Sequence, residues 1–196
     1  MNEKLRLTSL LALIPLASAC SPRAPEAPPL EGAAVGGAFS LTNQDGGRTS
    51  DRDFAGRYRL VYFGYTYCPD VCPVDLQQLA QGLRHFEKQD PVRGARVQPI
   101  FITVDPARDT PTVLKQYVAA FHPRLVGLTG SEQEIAQVAK AFAVYYVKRD
   151  EAGAGEYLMD HARTALLFGP KGEPIAIVPQ DQGAEAVAAE LAKWVI

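Results

Sequence analysis

The stretch YFGYTYCPDVCPVDL, residues 62–76, decides the fold. An apolar, aromatic run from Leu60 to Tyr65 predicts a buried strand, and two cysteines four positions apart follow it directly. Each cysteine precedes a proline, and proline is favoured at the first position of a helix. We therefore predict a helix that begins at Pro73 with Cys72 as its N-cap, after a tight turn over residues 68–71.

This position predicts the chemistry of the two cysteines. At a helix N-terminus both sulfurs lie beside unpaired N–H groups and the positive end of the helix dipole, which favours the thiolate. The four-residue offset between Cys68 and Cys72 brings their Cα atoms to roughly 5–6 Å, which is compatible with a disulfide. The pair can therefore be a dithiol, a disulfide or a metal clip, and an inert structural disulfide is the alternative.

Strands and helices alternate along the rest of the chain. A hairpin signal, Asn43–Gly47, stands between Phe39–Thr42 and Arg48–Thr49. The patterns predict helices at residues 73–87, 111–122, 131–142 and 183–194, and strands at 97–104, 125–129, 144–148, 157–160, 164–168 and 174–178. This order predicts an α/β domain, a central mixed sheet flanked by helices with an N-terminal β-hairpin. The cysteine turn at the start of the first long helix makes it similar to a thioredoxin fold.

Composition limits the class of protein. The chain has 196 residues, a formal net charge of −2 and 47% hydrophobic residues, so we expect one globular domain with a substantial core. The near-neutral charge gives no reason to expect nucleic acid as a partner. The 3 cysteines are too few for a disulfide framework.

The N-terminus resembles a bacterial lipoprotein signal. Residues 1–19 have a positive start, an apolar run and small residues before Cys20, although Ala17 stands where a large aliphatic residue is usual. We expect Cys20 to be the lipid attachment site, residues 20–36 a Pro/Ala-rich tether, and residues 37–196 the domain. The alternatives are an uncleaved membrane anchor and ordinary cleavage after Ala19. All three place the domain outside the cytoplasm, in the bacterial cell envelope.

Polar motifs follow neighbouring strands of the predicted sheet. Cys68 and Cys72 follow one strand and Asp105–Asp109 the next, so both lie at the carboxyl edge where sites form. His161 precedes the strand that begins near Thr164, and an antiparallel strand would bring it to the same edge. Two thiolates and an imidazole suit Cu(I), can serve Cu(II), and are one ligand short of a structural zinc site.

Three motifs resemble, in order and spacing, the signatures of the Sco/SenC family: TYCPDVCP at residues 66–73, VDPARDTP at 104–111, and Asp160–His161. The resemblance covers about residues 37–196. Members of that family are membrane-tethered, thioredoxin-like copper proteins that help to build the dinuclear copper site of cytochrome c oxidase. The resemblance implies one copper ion, as Cu(I) or Cu(II), held by Cys68, Cys72 and His161. It also implies a partner, the copper-containing oxidase subunit or another copper chaperone.

Other residues have two interpretations each. Asp70, Asp105, Arg108 and Asp109 are candidates for partner contact, but turn and capping chemistry explains them equally well. Met159 is a candidate weak ligand, with core packing the favoured interpretation.

Two further functions compete with copper delivery. The first is a thiol-disulfide oxidoreductase that reduces the cysteines of the copper site, and the second is a peroxidase or redox sensor. Arg163 stands where thioredoxins carry a cis-proline, which argues against general thioredoxin-like reductase activity.

Overall fold

The computed structural model describes residues 26–150 and 157–196. Helices in this part of the chain are α1 (Val71–Gln89), α2 (Pro91–Ala95), α3 (Pro111–Ala119), α4 (Glu132–Ala141) and α5 (Ala184–Trp194). Strands in this part are β1 (Ser40–Asn43), β2 (Arg48–Ser50), β3 (Tyr58–Gly64), β4 (Val97–Thr103), β5 (Val126–Thr129), β6 (Tyr146–Asp150), β7 (Tyr157–His161), β8 (Ala165–Phe168) and β9 (Pro174–Val178). The predicted alternation of strands and helices is confirmed.

A mixed sheet forms the centre of the domain, with strand order β2-β1-β5-β4-β3-β8-β9. Strands β3, β4 and β5 are parallel, while β8 pairs antiparallel with β3 through Tyr62 and Ala165. Every residue of β3 and β4 is buried, as expected for parallel strands covered on both faces. Tyr62 reaches Asp75 of α1, and Phe63 packs on Phe142 beyond α4. The carboxyl ends of β3 and β4 therefore lie at one edge, where the cysteines and residues 105–109 follow.

Helix α1 begins at Val71, two residues earlier than predicted. The prediction that Cys72 is the N-cap is wrong, because Asp70 takes that position. Pro73 is tolerated inside the first turn, where the backbone N–H groups have no partner in the helix. The N–H of Cys72 instead donates to the Sγ atom of Cys68 at 3.3 Å.

The segment before β1 is attached to the domain. The N–H of Leu30 donates to the carbonyl of Ile175 at 3.0 Å, and that of Gly36 donates to Ala141 at 2.8 Å. Leu30 and Val35 also pack against the core. The ordered domain thus begins before residue 37, and the predicted tether of residues 20–36 is wrong for residues 30–36.

The predicted signal and the lipid attachment site, Cys20, lie outside the described residues. Among the residues that are described, no helix has the length and apolar character needed to cross a membrane.

Strands β6 and β7 form a two-stranded hairpin apart from the main sheet. The sequence predicts β6 at residues 144–148, two residues too early, and its Gly-containing turn lies outside the described residues. The register pairs Tyr146 with His161 at the base of the hairpin. This hairpin carries His161 towards the cysteine turn.

Candidate metal centre

Three separate elements bring Cys68, Cys72 and His161 together. Cys68 lies in the turn after β3, Cys72 in the first turn of α1, and His161 at the end of β7. The Sγ atom of Cys72 is 3.0 Å from Nε2 of His161, and both cysteines are free thiols. The structure thus places all three predicted ligands at one site.

The backbone fixes the tautomer of His161. Its Nδ1 atom lies 3.0 Å from the carbonyl oxygen of Ala162. A carbonyl only accepts, so Nδ1 carries a proton, and in the neutral form of the ring the lone pair is on Nε2. The ring packs edge-on near Tyr62 and Tyr65, with ring centroids 6.3 and 6.0 Å away. Nε2 is therefore aimed at the sulfur of Cys72 in the form that can bind a metal ion.

The two thiols have opposite proton affinities. A hydrogen bond from the thiol of Cys72 lowers the pKa of Cys68 to about 3, against the effect of burial, and backbone N–H groups add to the lowering. The same hydrogen bond, together with burial, raises the pKa of Cys72. The helix start was predicted to favour the thiolate at both cysteines, and this is confirmed for Cys68 and wrong for Cys72. The pair holds one thiolate and one proton.

The donor set fits a soft metal ion. Two sulfurs and one imidazole nitrogen are the ligands that Cu(I) prefers, and Cu(II) also accepts imidazole. Sγ of Cys72 and Nε2 of His161 lie at hydrogen-bond distance, which is shorter than the separation of two ligands on one ion. In the described ranges, no three His, Cys, Asp or Glu side chains stand at metal-ligand spacing. A bound metal ion would displace the proton of the Cys72 thiol and increase the distance between Sγ of Cys72 and Nε2 of His161.

Asp109 supports the cysteine turn from inside the protein. Its buried carboxylate accepts from the N–H and hydroxyl of Thr66 at 3.0 and 2.6 Å, and from the hydroxyl of Thr103 at 2.6 Å. Burial raises its pKa, and these hydrogen bonds oppose the rise. The prediction of partner contact is therefore wrong for Asp109, which instead ties the loop after β4 to the turn before Cys68.

Asp105 and Arg108 support the hairpin that carries His161. Asp105 is buried, accepts from the hydroxyl of Tyr157 at 2.7 Å and pairs with Nε of Arg108. Arg108 also donates from Nη1 to the carbonyl of Tyr157 at 3.0 Å and lies 3.6 Å from the centroid of its ring. Partner contact is wrong for Asp105, and Arg108 is engaged mainly within the protein. The exposed Asp70 makes no side-chain cap bond, so its partner contact stays a prediction.

An ion pair that was not predicted from the sequence joins the two ligand-bearing segments. Arg163 donates from Nε and Nη2 to the two oxygens of Asp75, at 2.9 and 2.6 Å. Tyr62 donates to the same carboxylate at 2.9 Å. Asp75 lies one turn after Cys72, and Arg163 lies two residues after His161. An acidic residue on the apolar face of the first long helix was the sequence signal for this pair.

Two further predictions concern this region. Met159 is buried in the core, which confirms the packing interpretation. Arg163 occupies the chain position at which thioredoxins have a cis-proline. The described backbone contains no cis peptide bond.

Comparison with known proteins agrees with this geometry. The family model SCO1/SenC matches residues 27–196. "Protein SCO1 homolog, mitochondrial" of Homo sapiens is 39% identical over 158 residues, covering 81% of this chain and 52% of that protein. The copper-bound structure of Bradyrhizobium japonicum ScoI has a TM-score of 0.74 and 38% identity, covering 82% of this chain and 99% of that one.

A more distant structure shows the fold alone. The thioredoxin domain of a thiol-disulfide oxidoreductase from Bacteroides vulgatus has a TM-score of 0.56 and 15% identity, covering 83% of this chain and 96% of that one. The thioredoxin-like α/β fold is thereby confirmed. The chain spans about half the length of the curated relatives it matches. Because the family model matches most of the chain and the relatives are similar over most of its length, this chain belongs to the SCO1/SenC family.

Proposed function

We propose that the chain binds one copper ion through Cys68, Cys72 and Nε2 of His161, and assists assembly of the dinuclear copper site of cytochrome c oxidase. The observation that carries this proposal is the 3.0 Å approach of Nε2 to the Cys72 sulfur while Nδ1 is committed to a backbone carbonyl. Copper is bound in the similar ScoI structures of Bradyrhizobium japonicum and Arabidopsis thaliana. The partner is the copper-containing oxidase subunit or another copper chaperone.

The residues of the site have separate tasks. Copper, once bound, is the cargo that the partner receives. Cys68 is partly exposed and holds the thiolate, so it is the first sulfur that an incoming ion or partner meets. Cys72 is fully buried and gives up its proton when it becomes a ligand. Tyr62 and Tyr65, both buried beside His161, keep water from that side of the site.

Anaerobic copper titration of the reduced full chain tests this proposal. We expect one copper per chain for the wild type and none for the Cys68–Cys72 disulfide, because a disulfide removes both thiolate donors. His161→Ala should lose Cu(II) binding and weaken Cu(I) binding by about 100-fold. His85→Ala is the control, since His85 is an exposed histidine on α1. Equal affinity for the wild type and His161→Ala would refute the site.

The location in the cell is part of the proposal. The sequence pattern before Cys20 supports acylation there, with the domain tethered to a membrane of the bacterial cell envelope. Cys20→Ser should move the protein from the membrane to the soluble fraction. Mass spectrometry that finds an intact residue 1, or a free amine at Cys20 on soluble protein, would overturn the lipid anchor and leave the copper site untouched.

Thiol-disulfide exchange is a second candidate function, favoured by the lowered pKa of Cys68 next to a second free thiol. The Cys68 thiolate would attack a disulfide of the copper subunit and Cys72 would resolve the mixed disulfide. The partner would leave with two reduced cysteines and this chain with a Cys68–Cys72 disulfide. Oxidase assembly in cells separates the two functions. Normal assembly with His161→Ala but not with Cys72→Ser would favour exchange over copper delivery.

A further inference from the structure

A polar cavity lies at the opposite end of β3 from the metal centre. It has a volume of about 220 Å³ and is lined by Asp51, Arg52, Arg59, Lys171 and Gly172, among others. Arg59 is the second residue of β3, whereas the cysteine turn follows the last. At about 3.3 Å per residue, this strand alone separates the two ends by roughly 17 Å. The cavity is therefore distinct from the copper site.

Arg59 has a largely buried side chain whose guanidinium finds no hydrogen-bond acceptor among the described residues. The residue is only 6% exposed, and its guanidinium lies 5.3 Å from the centroid of the Phe168 ring. Among the described residues, no oxygen accepts from any of its five N–H groups, and burial lowers its pKa. None of its nitrogens is sealed from solvent. The guanidinium nitrogens therefore reach the solvent of the cavity, and an oxyanion bound there would supply the acceptor that the described residues do not.

The turn after β8 leaves room for this guanidinium. Gly172 has a φ of +89°, and a Cβ there would come within 2.7 Å of Nη2 of Arg59. A side chain at this position would fill the cavity where the guanidinium faces it. The glycine thus keeps the nitrogens of Arg59 accessible.

The charge balance around the cavity favours an anion. Arg52 and Lys171 are exposed at its rim and add to Arg59. Asp51 and Glu173 attract Arg59 electrostatically but do not hydrogen bond to it. Asp51 accepts from the N–H of Phe39 at 3.2 Å, and Glu173 accepts from that of Lys171 at 2.9 Å. Three cations against two carboxylates leave a local charge of +1.

We infer that this cavity binds a phosphate-type oxyanion, with Arg59 as its principal donor and Arg52 and Lys171 at the rim. A guanidinium fork matches two phosphate oxygens at once, which a single lysine cannot do. The ligand is free phosphate or the phosphate of a lipid headgroup. A lipid headgroup is compatible with the path of the N-terminal segment, which runs close to the cavity. Gly36 of that segment lies against the ring of Phe168, and the guanidinium of Arg59 lies over the same ring. Only the lipid headgroup as a source depends on the lipid anchor proposed at Cys20.

Titration of the full chain with inorganic phosphate, followed by NMR of the arginine Nε–H groups, tests the inference. We expect a saturable shift of the Arg59 signal that chloride at equal ionic strength does not produce. Lys171→Gln should weaken phosphate binding by about tenfold, and Arg59→Gln should abolish it. Lys88→Gln removes an exposed charge from α1 and should leave the affinity unchanged.

Vesicles distinguish the two sources of phosphate. Phosphatidylglycerol vesicles that shift the Arg59 signal, in competition with free phosphate, would identify a lipid headgroup, whereas a response to free phosphate alone would identify the soluble ion. Phosphatidylcholine vesicles, which carry no net charge, show how much of the Arg59 shift comes from insertion of the lipid anchor that all variants share. The inference fails if neither phosphate nor phosphatidylglycerol shifts the signal, or if Lys171→Gln binds as tightly as Lys88→Gln. Lys171 is exposed, so its variant decides the matter even if Arg59→Gln does not fold.

Discussion

Two histidines of this protein are fixed by neighbouring backbone groups in opposite tautomers. Nδ1 of His161 donates to the carbonyl of Ala162, so Nε2 keeps its lone pair. Nδ1 of His122 instead accepts from the N–H of Arg124 at 3.2 Å, so Nε2 carries the proton and faces Glu87 at 3.4 Å. A carbonyl or an N–H next to the ring thus decides which nitrogen is available. His161 can bind a metal ion, and His122 cannot without breaking its contacts.

The surroundings reinforce this difference. His122 is only 3% exposed, and burial lowers its pKa. Glu87 pairs with Arg124 as well as facing the histidine, so the cluster is complete within the protein. His161 faces two sulfurs at the edge of the sheet. His122 therefore stabilises the fold, and His161 is the proposed copper ligand.

Exchanging the two histidines for alanine should give opposite results. His161→Ala should weaken Cu(I) binding by about 100-fold with little change in the free energy of unfolding. His122→Ala should leave copper affinity unchanged and destabilise the protein by about 2 kcal/mol, because it empties a buried site and removes a hydrogen-bond acceptor. Copper titration and urea denaturation of both variants measure the two effects. Loss of copper binding in His122→Ala would contradict the assignment of copper binding to His161 and of a stabilising role to His122.

The Arg163–Asp75 pair should matter more than a second arginine pair beside His161. Arg163→Met leaves the 2% exposed Asp75 carboxylate without its arginine, and we expect a loss of about 2 kcal/mol, reduced because Arg163 itself is 47% exposed. Arg163→Lys should recover less than half of it, because lysine cannot form the two-point contact. The matched control is Arg149→Met, whose partner Asp160 is 53% exposed, with an expected loss below about 0.5 kcal/mol. Equal losses of stability for Arg163→Met and Arg149→Met in urea denaturation would show that the Arg163–Asp75 ion pair is no more important than the exposed pair.

Cys68 should remain a thiolate in weak acid. With a pKa lowered to about 3, its absorbance near 240 nm should stay constant from pH 8 to pH 5 and disappear only as the pH approaches that value. Cys72→Ala removes the largest cause of the lowering, so its thiolate absorbance should be lost at a higher pH. A wild-type signal that falls between pH 9 and pH 8 would show an ordinary thiol.

His122 should give the smallest effect, a pH dependence of stability. The unfolded chain protonates this histidine near pH 6.5, while burial keeps it neutral in the folded protein. The unfolded state then binds more protons, so the free energy of unfolding decreases as the pH falls below about 6.5. His122→Asn retains an acceptor for the N–H of Arg124 and removes the titration. Its stability should fall less than that of the wild type between pH 7 and pH 5, and parallel curves would exclude His122 as the cause.

Local sequence patterns predicted the parts of the site that depend on chain order. The strand of Leu60–Tyr65 and the antiparallel strand after His161 are both confirmed. The shift of the α1 start to Val71 could not be predicted, because proline is tolerated throughout the first turn.

Long-range contacts explain what the sequence missed. Asp109 reads as an exposed capping residue, yet it is buried because Thr66, 43 residues away, supplies its donors. The Arg163–Asp75 pair joins residues 88 positions apart. The attachment of Leu30 depends on an open edge at Ile175 that no local pattern reveals. Each of these depends on the assembled sheet.

X-ray absorption spectroscopy at the copper edge, on the copper-loaded full chain, tests the central claim most directly. The claim is that two sulfurs and Nε2 of His161 bind one ion. The wild type and His122→Ala should both show two sulfur ligands and one imidazole nitrogen, and His161→Ala should lose the nitrogen and keep both sulfurs. An unchanged imidazole signal in His161→Ala, or its loss in His122→Ala, would contradict the account.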